Sequence, residues 1–154
     1  MKKIFTLCIA HRHPNVLLGM KKRGFGKGKW NGFGGKVEKN ESIEEAAIRE
    51  VQEESGIIVR ELDKAGVLDF EFKDKDEILE VHIFHINKFE GEIKETEEMK
   101  TQWFHINEIP YKDMWPDDKY WFPLFFKRKR FKGRFLFDSS DSILESQLLE
   151  VKKL

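Results

Sequence analysis

Apolar residues along this chain fall into short runs of strand length and one stretch of helical spacing. Residues 4–10 and 16–22 read as two strands split by a turn at His13-Pro14-Asn15. Residues 66–73 and 79–86 read as two more, and in the latter Leu79, Val81 and Ile83 alternate with Glu80, His82 and Phe84. A short strand is expected at residues 102–105 and a late one at 131–137. Residues 42–54 carry helical spacing: Ser42 with Glu45 has capping-box form, and Gly56 suits the position past the last turn. A second helix is expected over residues 117–127, entered through Pro116-Asp117-Asp118 and complicated by Pro123. Strands and helices do not alternate regularly, which predicts an α+β fold with a mixed sheet flanked by helices.

Between the second strand and the first helix, Arg23 to Gly35 holds six glycines in thirteen residues, a loop or distorted strand that lets backbone approach a ligand. On a wheel of about 100° per residue, Ile43, Ala47 and Val51 form the apolar stripe of the helix. Glu50 and Glu54 fall in that same sector and Glu53 lies at its edge, whereas Glu44, Glu45 and Gln52 face away. Carboxylates turned toward a protein interior are costly unless something positive compensates. Arg49 can reach Glu53 one turn on, but one cation does not balance three anions. Oxygen donors without nearby Cys or His favour Mg²⁺, with Mn²⁺ able to substitute. The competing reading is a solvated Glu-rich helix.

The 154 residues suffice for one domain with its own core, with no repeat, linker or low-complexity tract, and one domain over residues 1–154 is expected. The chain is 40% hydrophobic and 36% charged, with 28 basic and 28 acidic residues. Zero formal charge argues against a general nucleic-acid binder and leaves room for a charged small ligand. The single cysteine, Cys8, forbids an intrachain disulfide, fits a reducing compartment and reads as a buried core thiol. No stretch has the roughly 18 apolar residues of a membrane span, and residues 4–10 are at the short limit for a signal peptide, with no small-residue cleavage site after them, and read as a first strand. The expectation is a monomer in the cytoplasm, with room for a mitochondrial or nuclear fraction. Lys127-Arg128-Lys129-Arg130-Phe131-Lys132-Gly133-Arg134 is the strongest basic run; a solvated face, an RNA contact and a nuclear address all fit it.

Gly35, five residues, Glu41, seven residues, then Arg49-Glu50-Val51-Gln52-Glu53-Glu54-Ser55-Gly56-Ile57 is a 23-residue pattern that resembles the Nudix box in full. The resemblance implies an α/β/α sandwich around a mixed sheet, and a water attacking phosphorus in a nucleoside diphosphate linked to another group. It implies that Glu50, Glu53 and Glu54 hold metal, with the Gly35 carbonyl a further ligand, and that Glu41 and Arg49 brace the loop against the helix. Glu54 is the first choice of general base. Glu97 or Glu98, in a loop where the family often supplies another acid, is the second, and Glu98 is favoured as a metal ligand.

Met20 to Gly26, Trp30 to Lys36, Lys112 to Asp118 and Tyr120-Trp121-Phe122-Pro123-Leu124 resemble the branch of the family that acts on oxidised purine nucleoside triphosphates such as 8-oxo-dGTP and 2-oxo-dATP. That likeness implies substrate contacts at Thr6, Lys21, Asn31, Phe33, Gly34, Gly35, Lys36, Phe70, Trp115, Asp117 and Asp118. Leu79 departs from it, a leucine where mammalian members carry methionine. Trp115 offers a stacking face, and Asn31 both donors and acceptors for a base edge. Buried together, Asp117 and Asp118 would keep one proton near neutral pH, so the pair could donate and accept at once. They could instead cap a helix, and Trp115 could fill a core. Phe25, Phe72, Leu79, Trp121 and Phe137 are open between pocket lining and core.

The rivals are a capped-RNA-cleaving enzyme and a nucleotide-sensing module without turnover. Such modules typically lose box glutamates, and all are present here.

Overall fold

The computed structural model describes residues 1–154. Eight strands share one mixed sheet: β1 Lys2–Arg12, β2 Asn15–Lys21, β3 Trp30–Asn31, β4 Ile58–Phe72, β5 Ile78–Glu90, β6 Met99–His105, β7 Arg130–Phe137 and β8 Ile143–Val151. Their order is β3-β2-β1-β5-β4-β7-β8, with β6 on the far side of β2. The β1–β5 and β4–β7 pairs are parallel and the others antiparallel. Helices α1 Ile43–Ser55 and α2 Asp118–Phe126 complete the fold.

Strand alternation sends side chains to two cores. From β1, Cys8 and Ala10 pack with Ala47 and Val51 of α1. Ile9 points the other way, into a cluster with Trp121, Phe122 and Phe125 of α2. Phe84 and Ile86 of β5 join the α1 core, and Val81 and Ile83 the α2 core. One helix therefore covers each face, the α/β/α layering expected.

The long strand β4 shows why its first half escapes a periodicity reading. Register shifts fall between Val59 and Glu61, Glu61 and Leu62, and Lys64 and Gly66. Each irregularity breaks the simple alternation of the residues beyond it. Thus Ala65 and Leu68, three apart, share the α2 core. The expected strand at 66–73 is only the regular end of β4. Strand β8, for which the sequence offers no clear pattern, lies at the sheet edge with Leu144 and Leu149 about half exposed. No helix is long and apolar enough to cross a membrane.

Phe131 is fully buried with its ring centroid 5.7 Å from that of Trp121, and it lies against Gly66. Truncating it leaves a cavity between sheet and helix that packing cannot close. Phe131→Ala is expected to cost about 3–5 kcal/mol, read as a lowered urea midpoint at unchanged slope.

Candidate active site

The site is built where the chain passes from β3 to α1. Residues 32–36 lie along β1: Cys8 and Phe33 exchange backbone hydrogen bonds at 2.6 and 2.8 Å, and Thr6 N–H donates to the Gly35 carbonyl at 2.9 Å. The approach is so close that a Cβ on Gly34 would sit 1.9 Å from the Thr6 carbonyl oxygen. A Cβ on Gly35 would meet the Glu50 carboxylate at 2.5 to 2.8 Å. Backbone leaves no room for a side chain at Gly34, and one at Gly35 would push the Glu50 carboxylate out of its place.

Helix α1 is then docked by charge. Ser42 and Glu45 form the expected capping box, and Gly56 ends the helix in the left-handed conformation. The Arg49 guanidinium grips Glu41 with two bonds, Nε at 2.9 Å and Nη2 at 2.7 Å. It also donates to Glu50 at 2.9 Å, to Glu53 at 3.4 Å and to the Lys36 carbonyl at 3.3 Å. This planar fork ties loop to helix as a lysine could not. The same bonds, with the Glu38 N–H, hold the Glu41 carboxyl down at about 2.

Glu54 has the opposite environment. Burial pushes its carboxyl up to about 7, opposed by the Gly34 N–H that donates to it at 2.8 Å. Glu53 is 59% exposed and Glu50 17%, as the wheel's edge and inward sectors predict.

Two cavities meet at this face. One of about 280 Å³ is lined by Glu50, Glu53, Glu54 and Glu98 together with Lys21 and Arg23. Glu98 pairs with Arg23 at 3.1 Å, and its loop is tied to Lys22 by the Lys22 N–H at 2.8 Å from the Glu98 carbonyl. Glu97 does not line this cavity. The donor set is all oxygen. No three acidic, histidine or cysteine side chains stand close enough to cage an ion unaided. That suits a hard divalent cation, which keeps waters and completes its shell with phosphate oxygens. The Gly35 carbonyl accepts from Thr6 N–H at 2.9 Å and stands 3.4 Å from the Thr6 hydroxyl, a long contact that an ion could replace.

The second cavity, about 220 Å³, shares Lys21, Glu54 and Met99 with the first. Thr6, Asn31, Gly34, Gly35, Phe70, Trp115, Asp117 and Asp118 all line it, as do Phe25, Phe72, Leu79 and Phe137. Trp115 stands at 5.3 Å from Phe25 and 6.0 Å from Phe137, centroid to centroid, with Lys29 Nζ at 5.2 Å from its ring. Asn31 Oδ1 is taken by the Gly32 N–H at 2.8 Å, so its amide N–H₂ is the free end.

Asp117 and Asp118 are 3% and 2% exposed. Neither caps α2: Asp117 has no capping bond and instead accepts from Trp121 Nε1 at 2.8 Å. Burial pushes both carboxyls up, and the neighbouring Asp117 charge drives Asp118 well above the ordinary range. Asp118 Oδ2 is buried without a protein partner.

Three residues expected near substrate or pocket lie elsewhere. Phe33 is fully buried in the α1 core, its ring over Gly19. Lys36 lines neither cavity, and only its backbone takes part, toward Arg49 and Phe5. Trp121 is core, serving Asp117 from behind. Conversely, Arg23, Lys29 and Met99 line the cavities although no sequence motif assigns them there. The two cations lie within the glycine-rich stretch 23–35, a signal the sequence does carry. Met99 opens an edge strand and carries none.

A sequence profile of the NUDIX domain matches residues 3–125. The oxidized purine nucleoside triphosphate hydrolase of Mus musculus is 50% identical over 149 residues, covering 97% of this chain and 96% of that protein. The enzyme of the same name from Danio rerio is 53% identical over 152 residues, covering 99% and 97%. Among solved structures, a MutT protein from Bacillus halodurans superposes with a TM-score of 0.83 at 28% identity, covering 95% of this chain and 97% of that one.

The raised Glu54 carboxyl has a stability consequence. Its folded pKa lies above the unfolded value of about 4.3, so the unfolded chain binds fewer protons between the two. Glu54's contribution to stability therefore falls as pH rises from about 4.5 to 7 and is level above. Glu54→Gln, without divalent metal, is expected to raise stability at pH 7.5 by up to about 3 kcal/mol and to change little at pH 4.5. Equal shifts at both pH values in denaturant titrations would show that burial does not perturb this group.

Proposed function

The chain belongs to the Nudix family, and from that premise we propose that it hydrolyses oxidised purine nucleoside triphosphates to the monophosphate and diphosphate. The observation that carries this reading is the junction of the two cavities: a purine-sized apolar slot with a buried aspartate pair opens onto a wall of four glutamates. Near-full-length identity to two enzymes named for that substrate supports it.

Glu50, Glu53, Glu54 and Glu98, with the Gly35 carbonyl, would hold Mg²⁺ or Mn²⁺. The metal there would neutralise phosphate charge and lower the pKa of a bound water toward neutrality. The base slides between Trp115 and the Phe70–Phe72 wall, and its polar edge meets Asn31, Asp117 and Asp118. With Asp118 as the acid, its O–H donates to the base edge while Asp117 accepts from it; a proton shift exchanges the two roles. One pocket can then offer a donor or an acceptor to the same ring position, which suits both 8-oxo-guanine and 2-oxo-adenine. Lys21, common to both cavities, meets the phosphates where nucleoside gives way to triphosphate. Glu54, with one oxygen on Gly34 N–H and a carboxyl poised near neutrality, takes the proton of the attacking water. Arg49 and Glu41 touch no substrate and hold the helix that presents Glu54.

A pyrophosphate-release panel over oxidised, normal and non-purine substrates tests the substrate, and turnover in ¹⁸O-water locates the attack. We expect 8-oxo-dGTP and 2-oxo-dATP to lead, label in one product only, diphosphate and no inorganic phosphate as the direct inorganic product, and Glu54→Gln at least about 100-fold slower. Capped RNA or ADP-ribose outpacing every purine triphosphate would remove the substrate assignment.

The aspartate pair has its own test. Asp118→Asn locks one member as a neutral amide, so the ratio of kcat/KM for 8-oxo-dGTP and 2-oxo-dATP should move at least about tenfold. A parallel loss on both substrates would make the pair structural.

A further inference from the structure

The sheet has a second polar end, which the catalytic site does not use. From Phe70 back to Lys64, β4 runs roughly 20 Å at about 3.3 Å per residue. There a cavity of about 370 Å³ opens between β4, β5, the turn after α2 and the end of β8. Five cations line it, Lys64, Arg128, Lys129, Arg130 and Lys152, against Asp63 and Glu150. This is a local excess of three positive charges in a chain whose formal charge is zero.

Internal partners account for little of that charge. Lys129 reaches Glu150 at 3.5 Å. Arg130 meets only the Lys152 carbonyl, at 3.4 Å. Arg128 adopts the left-handed conformation, φ 60°, and its guanidinium finds no carboxylate. It donates to Asn87 Oδ1 at 2.8 Å and toward His11 Nε2 at 3.5 Å. Lys64 and Lys152 form no ion pair.

The floor is His85, 3% exposed, its ring stacked 3.8 Å from Phe125. Because Arg128 donates to His11 Nε2, that nitrogen is an acceptor, and His85 Nδ1 donates to it at 3.1 Å. Clustered cations repel, and a concave cluster with unused donors gains most from a compact anion carrying several acceptors. No phenylalanine, tyrosine or tryptophan lines the cavity, so nothing there would stack on a base.

We propose that this cavity binds inorganic phosphate or diphosphate, at a site separate from the catalytic one. Arg128 and Arg130 supply paired N–H donors, and Lys64 and Lys152 supply point charges.

The His11 and His85 ring signals of the full chain, followed by NMR without divalent metal, report on this end of the sheet alone. Three titrants separate the sources: inorganic phosphate, inorganic diphosphate and a short RNA. We expect saturable shifts with diphosphate below about 1 mM, weaker ones with phosphate, and little from matched sodium chloride. The Lys64→Gln, Lys152→Gln double variant should weaken diphosphate about tenfold or more while leaving hydrolase kcat unchanged. Shifts that fail to saturate, that chloride reproduces, or that survive the double variant at the same affinity would overturn the proposal. RNA moving the rings at lower concentration than diphosphate would also overturn it, in favour of a nucleic-acid contact. Neither result depends on which triphosphate the enzyme cleaves.

Discussion

Residues 32–36 lie against β1 with no side chain between them, and the site depends on that contact. The Cβ that Gly34 lacks would overlap the Thr6 carbonyl, and the one that Gly35 lacks would overlap the Glu50 carboxylate. Because neither exists, the backbone lies flat between strand and helix. That places the Gly34 N–H where it can hold Glu54 and leaves the Gly35 carbonyl beside the acidic wall. Displacing this segment by even an ångström would remove a donor, an acceptor and a helix contact together.

The carboxyls of the site divide by environment, with different consequences for each. Glu41, gripped by Arg49 and a backbone N–H, stays ionised to about pH 2 and acts as structure. Glu54, buried with one neutral donor, sits near 7, where a proton can leave or return. Asp117 and Asp118, buried more deeply, are both pushed upward, Asp118 the further because Asp117 lies beside it. The same functional group thus holds its proton weakly or strongly, according to solvent access and the charge of its nearest neighbour. These buried acids lower stability at neutral pH, a cost borne elsewhere by two hydrophobic cores.

Legibility followed regularity. Helix α1 was readable because its cap, its apolar stripe and its inward glutamates agree, and Glu53 at the wheel's edge is indeed the exposed one. Strand β5 was readable in its alternating half. The first half of β4 was not, since its register shifts break the period on which such reading relies. Strand β8 was not, since an edge strand exposed on much of its length carries little hydrophobic signal. Asp117 and Asp118 could have been helix caps by position alone. Only burial beside Trp121 decides otherwise, because that indole donates to the carboxylate a cap would have used.

The sequence by itself determined the chemistry: a glycine pair at fixed distance from three glutamates, on a helix whose period turns them inward, calls for a cation and phosphate. Local spacing suffices there because every part lies within one turn and one helix. Specificity was decided by tertiary structure. Asn31, Phe70, Trp115 and the aspartate pair come from separate segments, and they form a pocket only because the sheet order brings β3, β4 and the start of α2 to one end. Phe33 marks the same limit from the other side. It sits within the glycine motif yet points into the core, since the parity of a distorted strand is set by what it packs against.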